Sequence, residues 1–131
     1  AIGAALAAMP VDAVGHALIE VATADDEWNL TAPAGVEVTW LHRGGPFTPD
    51  STVIEQAVKN IAWRDGRVQA FVHGEREIMK SLRVYLHDEC GVERSDMSLS
   101  AYWAYGRAED DFQAEKKLPI GQIYPEAGLQ Y

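Results

Sequence analysis

Ser100-Ala-Tyr-Trp-Ala-Tyr-Gly-Arg-Ala-Glu-Asp-Asp-Phe-Gln-Ala-Glu115 is the stretch on which the fold turns. Residues 97–103, closing on Tyr102 and Trp103, read as a buried strand, and Gly106 lets the backbone turn without a Cβ penalty. A helix over 107–117 follows, with Glu109, Asp110 and Asp111 in its first turn, where negative charge suits the unpaired N–H groups and the positive end of the helix dipole. The aromatic pair, Gly106 and Arg107 therefore fall at the carboxyl end of a strand, the edge at which open α/β sheets bind ligands.

Working outward, residues 68–72 form a strand running into His73-Gly74-Glu75, and Ile78, Leu82, Tyr85 and Leu86 give the next helix its buried side, with Gly91 as its stop. Upstream, Ser51, Thr52 and Glu55 make a capping-box-like start to a helix whose apolar face is Ile54, Ala57, Val58, Ile61 and Ala62, ended by Asp65-Gly66. Residues 36–41 alternate as a half-buried strand. Residues 16–22 are apolar except at Glu20, the pattern of a strand buried on both faces. Between these two strands, 23–35 is an acidic, turn-rich loop. Ile2, Leu6 and Met9 recur at helical spacing before Pro10, so 1–9 reads as a helix, and the apolar start lacks the basic residues of a signal peptide. Strands alternating with helices imply a three-layer αβα fold with a mostly parallel sheet. The tail over 118–131, punctuated by Pro119, Gly121, Pro125 and Gly128, reads as non-regular.

A chain of 131 residues holds one ordinary domain. Its 20 acidic against 11 basic residues give a net charge of −9, the wrong sign for a nucleic-acid surface. No segment approaches the ~18 consecutive apolar residues of a membrane span. The single cysteine, Cys90, allows no intrachain disulfide and favours a reducing, cytoplasmic compartment.

Three blocks in order resemble the siderophore-interacting protein family, flavin-dependent ferric-siderophore reductases of the ferredoxin-reductase type. They are His16 to Val21 with Gly35 to Arg43; Gly74-Glu75 with Leu82, Arg83 and Leu86; and Tyr102-Trp103 followed by Gly106-Arg107-Ala108-Glu109-Asp110. The resemblance spans residues 1–117 and implies the Rossmann-like, nicotinamide-binding C-terminal domain. It also implies two missing parts, an N-terminal FAD-binding β-barrel and the domain's first strand. The chain opens on alanine inside a helical pattern, as an excised piece would. A missing central strand would leave strands 16–22 and 68–74 without ladder partners, so they are expected to pair directly or to dimerise through the open edge.

The resemblance also implies roles. Gly74 and Glu75 would face the nicotinamide cofactor and flavin, against the plainer reading of a strand-to-helix turn. Tyr102, Trp103 and Gly106 would lie beside the flavin, where an aromatic surface can cover the isoalloxazine ring, although rings at a strand end are commonly core. Arg107, Lys116 and Lys117 would make a cationic patch for an anionic ferric siderophore, or a solvated helix face paired with Glu109 and Asp110. Asp25 and Asp26 follow a strand whose end meets the adenosine ribose in the family; their charge opposes a 2′-phosphate and favours NADH over NADPH, unless they are only solvated loop charge.

Neither the histidines nor His87-Asp88-Glu89-Cys90 converge as metal ligands, and no nucleophile, acid or base stands out, as expected where the cofactor carries the chemistry. The expected activity is transfer of hydride from NADH or NADPH to FAD and then of electrons to Fe(III)-siderophore, with the isolated chain inactive. The alternatives are a related flavin reductase using ferredoxin, flavodoxin or a free ferric chelate, and a non-catalytic α/β protein-interaction module.

Overall fold

The computed structural model describes residues 2–48, 50–63 and 66–123, and resolves the chain into two compact units, Ala1–Ala62 and Trp63–Tyr131. All strand pairing in both units is parallel, which bears out the α/β reading. Asp65 and the tail beyond residue 123 lie outside the described residues.

In the first unit, helix α1 (Ile2–Ala7) precedes strand β1 (Val14–Val21), which pairs in register with β2 (Gly35–His42). Leu6 of α1 packs with Ala17 and Val36, and Ile2, Leu30, Ala32 and Val38 close around them. The α1 pattern ends earlier than the sequence suggested: Met9 lies beyond the helix and is exposed. β1 is not buried on both faces. Ala17, Ile19 and Val21 are buried, while the alternate residues are half-buried or exposed. Glu20, on that second face, accepts from Arg43 Nη1 at 2.8 Å, which offsets the cost of a carboxylate in an apolar strand. Helix α2 (Val53–Lys59) packs on β1 and β2. Its expected capping box does not form: Thr52 is the N-cap without a side-chain bond, and Ser51 Oγ is buried without a partner. The helix also stops at Lys59, so Ile61 and Ala62 are not on its face.

In the second unit, β3 (Ala70–Glu75) pairs with β4 (Met97–Trp103), and α3 (Arg76–Arg83) packs on both. Met79, Leu82, Leu86, Val92, Leu99, Ala101, Phe112 and Ile123 are buried here. α3 runs directly into a π-helical turn, Val84–Glu89, which the sequence pattern did not announce. Gly91 closes it at φ +73°, as the stop signal required. Helix α4 (Glu109–Glu115) is shorter than residues 107–117: Arg107 closes the preceding turn on Ala104, Ala108 is the N-cap and Lys116 the C-cap. A 3-10 turn, Pro119–Gly121, lies within the tail read as non-regular and comes close to α4: a Cβ on Gly121 would lie 1.9 Å from the Glu115 carbonyl oxygen.

The described strand pairing lies within the units, β1 with β2 and β3 with β4, each pair being consecutive in the chain. Among the described residues, β1 and β3 therefore carry ladder bonds along one edge only. No described helix is long and apolar enough to cross a membrane.

Candidate functional site

The second unit brings most of the candidate residues together, and Glu75 is the reason. A β-bulge between Gly74 and Glu75 shifts the register so that Gly74 faces Ala101 but Glu75 faces Trp103. The Glu75 side chain turns inward and is 6% exposed. Its Oε1 accepts from the backbone N–H groups of Glu77 at 2.9 Å and Ile78 at 3.1 Å, capping α3. Its Oε2 accepts from the N–H of Tyr105 at 3.1 Å. A single carboxylate thus ties the β3–α3 junction to the loop after β4. A Cβ at Gly74 would approach Met79 Cε, the flexible end of that side chain, to 3.3 Å.

The end of β4 and the loop held in this way leave three aromatic side chains half-exposed: Tyr102 at 52%, Trp103 at 41% and Tyr105 at 50%. Gly106, with φ +77° and open space where a Cβ would stand, supplies the left-handed turn that follows them. Tyr102 lies on the same sheet face as Phe71 and His73. The His73 ring stacks on Phe71 at 4.0 Å, meets Tyr102 edge-on at 5.1 Å, and its Nδ1 is hydrogen-bonded with the Tyr102 hydroxyl. Burial holds the His73 imidazole below its ordinary pKa, and its Nε2 is buried without a partner. Both effects favour a neutral ring at neutral pH.

Arg107 is ion-paired, and its partner is Glu115. Its Nε donates to Glu115 Oε1 at 2.7 Å, while Glu115 Oε2 stands 3.5 Å from Nη1 of the buried Arg76. Arg107 keeps 44% of its side chain in solvent. Lys116 sits over the Phe112 ring at 5.2 Å, and Lys117 is exposed. Sequence reasoning missed Arg76 and Glu115 altogether; the only signal was a charged residue at the start of one helix and another at the end of a later one.

Asp25 and Asp26 belong to the first unit, in an exposed 3-10 turn, Ala24–Asp26, that follows β1. Asp26 Oδ2 accepts from Thr23 N–H at 3.2 Å, which fixes the turn, and Asp25 remains exposed. The loop beyond them is anchored to β2 by Trp28 edge-on to Trp40 at 4.8 Å and by a Glu27–His42 hydrogen bond.

Taken unit by unit, the residues present have the chemistry for flat organic groups: in the second, exposed aromatic faces beside a glycine turn can pack on a planar ring, and in the first, exposed carboxylates after a strand can accept from hydroxyl groups.

A sequence model described as siderophore-interacting protein matches residues 1–106. An uncharacterized protein of Mycobacterium tuberculosis is 46% identical over 126 residues, covering 89% of this chain and 44% of that protein. The ferric vibriobactin reductase ViuB of Vibrio cholerae is 28% identical over 126 residues, covering 95% of this chain and 46% of the reductase. Among solved structures, a siderophore utilization protein from T. fusca superposes with a TM-score of 0.74 at 31% identity, covering 82% of this chain and 41% of that one. The siderophore-interacting protein SipS from Aeromonas hydrophila has the same fold, with a TM-score of 0.74 at 24% identity over 86% of this chain and 44% of that one. The chain thus spans less than half the length of these relatives.

Proposed function

The chain belongs to the siderophore-interacting protein family, and on that premise we propose that residues 1–117 are the nicotinamide-binding, C-terminal part of a flavin-dependent ferric-siderophore reductase, with 118–131 as its tail. The observation that carries this reading is the group of exposed rings at the carboxyl end of β4, Tyr102 and Trp103 on the strand and Tyr105 on the loop that the buried Glu75 carboxylate holds. Folding has not buried these rings, and rings grouped at such an edge are surface kept for a partner.

When bound, NADH or NADPH and FAD would supply hydride and single-electron chemistry, the route by which ferric iron in a siderophore is reduced. The chain's own residues bind and orient. Tyr102 and Trp103 cover the flavin ring and restrict water around it. The backbone at Gly74 and the left-handed turn at Gly106 let the cofactors come close. Asp25 and Asp26 accept from ribose hydroxyls and oppose a 2′-phosphate, which favours NADH. Arg107, presented by Glu115, offers its Nη donors to an anionic ferric siderophore, and Lys116 and Lys117 add positive potential. Glu75 acts from beneath this surface, since all of its observed bonds go to backbone N–H groups of the protein.

The partners in this account are the ferric siderophore and the FAD-binding barrel of the longer protein, working in the cytoplasm. The second edges of β1 and β3 are where further strands, from that longer protein or from a second copy, would add. NADH oxidation by the full-length protein with and without ferric siderophore tests the proposal. Oxidation that depends on the siderophore supports it. Oxidation that responds only to ferredoxin, flavodoxin or a simple ferric chelate assigns a different flavin reductase, and the absence of bound flavin and of any oxidation refutes the enzyme reading.

A further inference from the structure

The structure assigns Glu75 as a positioning residue that sets the loop 104–107 against the β3–α3 junction; the inference rests on the reductase reading above, because it concerns how that site is held. Glu75 is a carboxylate with 6% exposure whose three observed bonds are all accepted from backbone N–H groups: Glu77 and Ile78 through Oε1, and Tyr105 through Oε2. The first two cap a helix, which a shorter side chain could also do. The third crosses to another strand's loop. The next residue, Arg76, reaches the same loop from its other end, because Glu115 Oε2 lies 3.5 Å from Arg76 Nη1 while Glu115 Oε1 accepts from Arg107 Nε at 2.7 Å.

The start of α3 therefore holds the loop at two points, Tyr105 directly through the N-cap Glu75 and Arg107 through the Arg76–Glu115 pair. Between these two points stands Gly106, at φ +77°, the residue with the widest backbone freedom in the loop. Without the grip, the Tyr105 ring and the Arg107 guanidinium would sit on a flexible turn beside Tyr102 and Trp103, which β4 itself holds. With it, they keep one orientation relative to Gly74. A reaction that requires two planar rings to approach within van der Waals distance depends on such alignment, and a misplacement of about 1 Å can cost ~10²-fold in rate.

Glu75→Asp separates the two functions of this side chain. Aspartate is a good N-cap and keeps the charge, but it is one methylene too short to serve both sets of donors. In the flavin-loaded full-length protein, amide hydrogen exchange and stopped-flow flavin reduction by NADH are measured for the wild type and for Glu75→Asp. The exchange of the Glu77 and Ile78 amides should be unchanged, showing an intact α3. The Tyr105 amide should exchange about tenfold faster or more, as expected for loss of a hydrogen bond to a charged acceptor. The limiting rate of flavin reduction should fall about tenfold or more, with the apparent NADH constant little changed. Unchanged Tyr105 exchange, or faster exchange with an unchanged limiting rate, overturns the positioning role. A wild-type protein whose flavin NADH does not reduce overturns the reductase reading instead, so the two failures are distinct.

Discussion

Replacing Glu115 by alanine should destabilise the chain far more than replacing Arg107, although the two side chains share the shortest ion pair at the site. Arg76 is 4% exposed and has two acidic neighbours, Glu77 at 3.0 Å and Glu115 at 3.5 Å. The Glu77 carboxylate is mostly in solvent, so Glu115 is the counter-charge buried with Arg76. Removing one partner of a buried pair costs about 3–5 kcal/mol, because the other charge stays behind without compensation. The 3.5 Å separation, with no hydrogen bond at Nη1, puts Glu115→Ala near the lower end, at about 3 kcal/mol. Arg107 is nearly half in water, and Glu115 keeps Arg76 when it is lost, so Arg107→Ala should cost at most about 1 kcal/mol, as exposed pairs do. Urea unfolding of the three proteins, followed by circular dichroism, gives the order directly. The double variant Arg76→Met/Glu115→Leu should recover much of the loss, since removing both charges removes the desolvation penalty with them. Equal losses for Glu115→Ala and Arg107→Ala, or a double variant no better than Glu115→Ala, would refute the reasoning.

Gly121→Ala should lower the thermal midpoint by several degrees, because its Cβ would meet the Glu115 carbonyl at 1.9 Å, whereas Gly45→Ala, with open space around it, should leave the midpoint within about a degree. The His73 pKa is depressed by burial, so its contribution to stability is present above the ordinary histidine value and is lost as pH falls through the lowered one; an NMR titration should place its midpoint below about 6.5, and His73→Gln should flatten the stability profile on that acid side. Asp96 is also depressed, chiefly by its hydrogen bonds from Arg67 Nε at 2.9 and 3.0 Å. Its contribution is therefore present above the ordinary aspartate value and lost as pH falls through the lowered one, and Arg67→Ala should return the Asp96 titration towards that ordinary value.

Much of the frame was legible because it rests on local pattern. Apolar runs and alternation marked β1, β2 and β3, the closing aromatic pair marked β4, and a strand-to-helix junction at Gly74-Glu75 and the turn at Gly106 stood where the punctuation put them. Local pattern failed where a distant partner decides. The double-sided burial read for β1 assumed no use for Glu20, and Arg43, 23 residues on, supplies one. Ser51, Thr52 and Glu55 had the composition of a capping box, yet the backbone at Thr52, with φ −117° and ψ 13°, is not the extended N-cap conformation that such a box needs. The π-helical turn Val84–Glu89 leaves no compositional trace, since Tyr85 and Leu86 suit an α-helix equally well. At the site, Glu75 was legible as important but not as a clamp, because its Tyr105 partner lies 30 residues away and is a backbone group. Arg76 and Glu115 read as ordinary charged helix residues until folding brought them to either side of the Arg107 loop.

The measurement that tests the account most directly is anaerobic stopped-flow reduction of bound FAD by NADH, followed by reoxidation with ferric siderophore, in the full-length protein with and without a Tyr102→Ala/Trp103→Ala change. The account predicts siderophore-dependent reoxidation in the wild type, and a collapse of flavin binding or hydride transfer in the double variant while its circular dichroism stays native. Unchanged flavin binding and reduction in a folded double variant would contradict the placement of the flavin against the carboxyl end of β4.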